Sequence, residues 1–142
     1  MPHRSIAANA IYGLLNPIPF GFFVAGLIFD VVYARSGNVL WDKSAAWLIA
    51  IGLVFAVIPR LFNLIQVWGT SRHSVPRFEK FDFWFNLLAI AAAIINSFVH
   101  SRDAYAVVPT GILLSACTVL LIAGGNVLAS IGRTTSGDHH HV

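Results

Sequence analysis

Asp30, Asn96 and His100 are the residues of this 142-residue chain whose types and placement come nearest to chemistry. An imidazole titrates near neutrality, and a carboxylate beside it can orient its ring. Asp30 closes one apolar run, Asn96 and His100 close another and Tyr105 opens the next, so antiparallel helices would bring all four to a similar depth. Such a group could pass a proton or an ion. The plainer alternative is an interfacial ion pair, or a pairing of Asp30 with Arg35 or Arg102. No metal is expected, since two protein ligands from two helices are too few for a metal site.

A second set lies toward the other end of the same runs. Asn16, Arg60, Asn63, Asn86 and Asn126 fall at a common depth, with Asp82 as the nearest carboxylate for Arg60. One reading is a polar pocket for a small ligand, lipid headgroup or ion, with Arg60 binding the anion. The other is packing: asparagines that hydrogen-bond between helices contribute about 0.6 to 2 kcal/mol each and lock register, while Arg60 snorkels past the kink at Pro59. Replacing Arg60 by Leu separates the two, because a site loses activity and a packing layer misassembles.

Other chemistries find no footing. A haem clamp needs two histidines at matched depth; only His100 lies on an expected span, while His3 and His73 do not, so no cofactor is expected. Nothing resembles a phosphate loop, a nucleophile with its base or a zinc signature, so the chain is not expected to be an enzyme. The stretch Asp138-His139-His140-His141 could take a transition metal, but a flexible tail of this composition is the simpler reading.

The elements that position these residues are four long apolar runs. Hydrophobic residues make up 57% of the chain and charged ones only 11%, with a mean hydropathy of +0.75. A soluble domain carries about 25% charged residues, so this composition points to lipid as solvent. A helix of about 20 apolar residues crosses the bilayer because it satisfies its own backbone polar groups there. Spans are expected over residues 11–34, 44–68, 81–100 and 104–131, within one domain covering 1–133, followed by a flexible His-containing tail at 134–142. The first helix is expected to begin properly near Pro17 or Pro19, since proline disturbs the helix before it. A cleaved signal peptide is disfavoured, as the run ends in Asp30, Tyr33 and Arg35 without a small-residue cleavage site. Links at 36–43, 69–80 and 101–103 are short enough to force neighbouring helices antiparallel. The expected fold is therefore all-α, a polytopic membrane protein with four transmembrane helices in an up-down-up-down bundle.

Arg4, Arg72, Arg77, Lys80 and Arg133 fall on one side of such a bundle, against Arg35, Lys43 and Arg102 on the other. Basic residues gather on the cytoplasmic side, which places both termini there in a bacterial inner membrane. Trp41, Trp47, Trp68 and Trp84 fall near expected helix ends, where amphipathic rings favour the headgroup level. The net charge of +3 and pI of 9.5 come from scattered residues rather than a basic stripe, so no nucleic-acid partner is expected. Cys117 stands alone in an apolar run and forms no intramolecular disulfide.

The opening Asn16-Pro17-Ile18-Pro19-Phe20-Gly21-Phe22, followed by Ala25-Gly26-Leu27-Ile28-Phe29-Asp30, resembles the first helix of a widespread bacterial family of predicted four-helix integral membrane proteins of unknown function. Phe85-Asn86-Leu87-Leu88-Ala89 and Gly124-Gly125-Asn126 are similar to its third and fourth helices. The family's first helix typically starts with His-Pro, and Asn16 stands where that His would be. If the His is a ligand in relatives, the resemblance implies that this chain has lost it.

Two functions fit these features. One is a structural or accessory subunit packing against a larger membrane complex or a second copy, with Ala89, Ala92, Ala93 and Asn96, or Gly124 and Gly125, as contact surfaces. The other is a ligand, lipid or ion binding protein, or a transporter component, built on the layer around Arg60. Four helices leave little room for a pore within one protomer.

Overall fold

The computed structural model describes residues 17–69, 77–102 and 107–137. They form four α-helices and no strand: α1 Pro17–Ser36, α2 Val39–Gly69, α3 Arg77–His100 and α4 Thr110–Gly137. Each contains a segment long and apolar enough to cross a membrane, as the composition implied.

Helix ends follow from local chemistry. Pro17 and Pro19 occupy the first turn of α1, where a missing N–H removes no intrahelical bond. Gly37 ends that helix with φ of +66°, a left-handed conformation that a Cβ would strain, and its N–H donates to the Tyr33 carbonyl at 2.8 Å. Asn38 then caps α2, its Oδ1 accepting from the Leu40 N–H at 3.0 Å. The link between α1 and α2 is thus Gly37 and Asn38 alone, and α2 starts at Val39 rather than at residue 44. Asp42 and Lys43, expected in a link, are helical. Trp47 consequently lies about 12 Å along α2 instead of at its start, with its side chain exposed on the outer face.

At the other hairpin α4 begins at Thr110 rather than 104, directly after Pro109, whose carbonyl accepts from the Leu113 N–H at 3.2 Å. Proline cannot continue a helix from upstream but starts one readily. Outside the two helices the described residues are 101–102 and 107–109, of which Val107 is buried. The helix α4 also continues through Gly137, into what was expected to be tail.

Consecutive helices run antiparallel, and contacts join α1 to α2, α3 to α4, α1 to α4 and α2 to α3. The Phe22–Phe55 stack and the Phe29–Trp41 edge contact fix the α1–α2 register, and Asn96 meeting Ser115 fixes that of α3 and α4. Phe23, Ile49, Ala56, Ala89, Ala93 and Ile122 form the apolar core. Large apolar side chains such as Phe98, Leu113 and Leu120 point outward, the arrangement expected where the surroundings are hydrocarbon rather than water.

Candidate functional site

Each helix buries one stripe at alternating spacings of three and four residues. On α1 the stripe is Pro19, Phe23, Gly26, Asp30 and Tyr33; on α2 it is Asp42, Ala45, Ile49, Gly52 and Ala56. On α3 it includes Ala89, Ala93, Asn96 and His100, and on α4 Gly111, Ser115, Thr118 and Ile122. This is the repeat that lets helices keep one face toward their partners along their length. A polar residue on such a stripe has nowhere to point but inward. At the end of the bundle next to the Gly37-Asn38 turn, the stripes deliver Asp30, Asp42, Asn96, His100 and Ser115 to one place, with exposures of 1, 0, 1, 2 and 3%.

Their contacts form a chain. The Asn96 amide donates to Ser115 Oγ at 2.7 Å, and Ser115 Oγ donates to Asp30 Oδ2 at 2.5 Å. Asp30 Oδ1 faces His100 Nε2 at 2.7 Å, and His100 Nδ1 lies 3.0 Å from the Asn96 carbonyl. A carbonyl only accepts, so Nδ1 carries its hydrogen. The contact between Nε2 and Oδ1 then needs one proton, held either as imidazolium against carboxylate or as imidazole against carboxylic acid. The pair has net charge zero in both forms.

The order of groups also excludes a nucleophile triad. In such a triad the imidazole lies between serine and carboxylate and takes the serine proton. Here the carboxylate lies between, and both ring nitrogens are already engaged. Among the described residues, no group of three or more His, Cys, Asp or Glu side chains is placed to hold a metal ion. The site is a buried Asp30–His100 pair, with the Ser115 hydroxyl on the carboxylate and the Asn96 backbone carbonyl on the ring.

Gly111 makes room for it. A Cβ at this position would approach Val107 Cγ1 to 2.6 Å and His100 Cε1 to 3.1 Å, so the ring packs directly on the backbone of α4. Between Asp30 and Ser36 the helix rises about 9 Å, which puts the pair inside the apolar segment but toward one face of it.

The expected trio of Asp30, Asn96 and His100 is therefore brought together, with Asp30 paired to His100 rather than to Arg35 or Arg102. Tyr105 lies outside the described residues, as do Asn16 and the tail histidines. Asp42 and Ser115 were not anticipated. The signal for both was present: each continues the three-four stripe of its helix, once α2 is started at the Asn38 cap.

Of the layer around Arg60, the side chains of Arg60, Asn63 and Asp82 lie outside the described part of the structure. Asn86 and Asn126 come together, lining a cavity of about 20 Å³ with Pro19, Phe20 and Ala56. That is room for a single water, not for a headgroup. The small-residue stripe is also spent internally. Ala89, Ala92, Ala93 and Asn96 are buried within the bundle, and Gly124 packs near Phe85, so these residues are not outer contact surfaces.

Four apolar helices of membrane-crossing length around a buried polar cluster define a small helical membrane protein. The chain belongs to the family described as predicted membrane protein (DUF2231), whose family model matches residues 9–135, in keeping with the resemblance of its opening helix. No curated protein and no solved structure matches it.

Proposed function

We propose that this membrane protein binds and exchanges a proton at the buried Asp30–His100 pair. The observation that carries the reading is the engagement of both imidazole nitrogens, one on a carbonyl and one on a carboxylate, which requires a single proton between Nε2 and Oδ1. A neutral pair tolerates burial that a lone charge does not. Ser115, itself accepting from the Asn96 amide, holds the Asp30 carboxylate in place, so the proton rather than that carboxylate is the mobile part. With both termini cytoplasmic in a bacterial plasma membrane, which the distribution of Lys and Arg supports, the pair lies toward the outer face.

Nitrogen-15 spectra of histidine-labelled protein in bilayers test this, with His100→Gln assigning the resonance. The expected result is an Nδ1 that stays protonated and an Nε2 that moves between imidazole-like and imidazolium-like shifts as pH changes, with Asp30→Asn abolishing the movement. A His100 ring that behaves as plain neutral imidazole and ignores Asp30→Asn would sink the proposal.

A structural subunit, packed on a larger complex or a second copy, is the second reading. The outward Trp47, Phe98 and Leu113 favour it, since they offer bulky anchors to a partner as readily as to lipid. Recovery of a stoichiometric partner after gentle extraction supports that role.

A further inference from the structure

Asp42 is not needed to satisfy the pair, yet it lies against it. Its carboxylate is fully buried, neither oxygen has a hydrogen-bond partner among the described residues, and Oδ1 is 4.0 Å from His100 Nε2. The Asn96 Oδ1 is likewise buried without a partner. Native folds leave few such atoms unpaired, and an ionised one is the costliest to bury. On the inward stripes, α1 carries Asp30 and buried Tyr33, α3 carries His100, and α4 carries Ser115 and Thr118, which do not titrate. Lys43, Arg35 and Arg102 are exposed at the same end. Among the described residues the imidazole is the one cationic group within 4.0 Å.

We infer that Asp42 is a second proton-binding site, sharing His100 Nε2 with Asp30, so that the imidazole passes a proton between two carboxylates. The inference rests on the pair holding a proton as proposed above. Closing the gap from 4.0 Å to hydrogen-bonding range takes a ring movement of about 1 Å, pivoting on the Nδ1 contact to Asn96. In the step the Nε2–H bond breaks, its electron pair stays on nitrogen, and an O–H bond forms on Asp42 Oδ1. Asp42 becomes a neutral acid, His100 a neutral imidazole with Nδ1–H intact, and Asp30 remains a carboxylate accepting from Ser115. Net charge is unchanged at minus one. A further proton arriving from water at Nε2 restores the imidazolium and brings the cluster to neutrality. The site thus takes up two protons in succession, and the second removes the cluster's net charge, leaving imidazolium against the Asp30 carboxylate beside a neutral Asp42.

Infrared spectra of protein carrying carbon-13 in its aspartate carboxyls, recorded in liposomes across a pH series, test this. Aspartate labelling leaves out Glu79. The expected result is a protonated-carboxyl stretch that Asp42→Asn removes and Asp30→Asn keeps. If Asp42→Asn does not fold, Asp30→Asn decides alone: absence of that stretch at every pH where this variant stays folded overturns the inference. A stretch that survives Asp42→Asn overturns it as well. A stretch that appears only when sodium is replaced by choline assigns the site to a metal cation instead and overturns the proton. The nitrogen-15 signature of His100 is read on the same samples, so loss of the Asp42 site with that signature intact leaves the Asp30–His100 reading standing.

Discussion

The two halves of the bundle share one packing scheme and fill it with opposite chemistry. Toward the Gly37-Asn38 turn, the inward stripes carry Asp30, Asp42, Asn96, His100 and Ser115. Toward the other end they carry Phe23, Ile49, Ala56, Ala89 and Ala93, with the small Asn86–Asn126 cavity beyond. Among the described residues, the apolar half closes without buried charge. Apolar residues in place of a buried ion pair often pack at no loss of stability. Stability alone therefore does not call for the polar half, and the proton proposed for the Asp30–His100 pair would give it a reason.

A matched pair of substitutions breaks or sharpens that contrast, and both effects are large. Asp30→Leu leaves His100 Nε2 and Ser115 Oγ facing a methyl group, and removing one partner of a buried pair costs about 3–5 kcal/mol. Phe23→Ala, in the apolar half, costs a similar ~3–5 kcal/mol through the cavity it opens. Denaturant unfolding in mixed micelles reads both. The difference lies in the His100 nitrogen-15 shifts, which Asp30→Leu abolishes and Phe23→Ala leaves unchanged. Equal disturbance of His100 by the two variants would mean that the halves are not separable.

Gly111→Ala tests the polar half by shape alone, since no hydrogen-bonding group is removed. The added methyl must displace Val107 or the His100 ring, and overpacking of this kind costs about 1–3 kcal/mol. The expected outcome is a modest fall in stability together with a shift of the His100 resonances, because the added methyl meets the ring at Cε1. A stability loss with unmoved resonances would place the strain on Val107 and free the ring from any dependence on this glycine.

Much of this is legible in the amino-acid sequence. Backbone polar groups in hydrocarbon leave few solutions, so four runs of the right length mean four helices. Asp30, Asn96 and His100 stood out because polar atoms inside such runs are costly. What escaped was Asp42, for a local reason. The sequence Trp41-Asp42-Lys43-Ser44 looks like a polar link, and only the capping geometry of Asn38 after Gly37 shows that the helix has already started there. Ser115 escaped for a different reason, since a serine in a span is common and becomes informative only when the α4 stripe is set against Asp30. The Ala89, Ala92 and Ala93 stripe was visible, but periodicity cannot tell an inner face from an outer one when lipid and core are equally apolar.

The smallest effect tests the outside of the molecule, where the contrast between halves should vanish. Leu120 is 70% exposed on the outer face of α4, and Leu120→Ala changes an unfolding free energy by no more than about 0.5 kcal/mol if lipid is all that it meets. The reason is that acyl chains are as apolar as leucine, so trimming the side chain transfers nothing out of water. Unfolding measured in the same micelles checks it, and the His100 signature stays unchanged. A loss of a kcal/mol or more at this position, felt in native membranes and absent after delipidation into micelles, means that another protein covers the face. That outcome supports the structural-subunit reading without touching the proposed proton site, because Leu120 is exposed while the α4 residue that meets Asp30 is the buried Ser115.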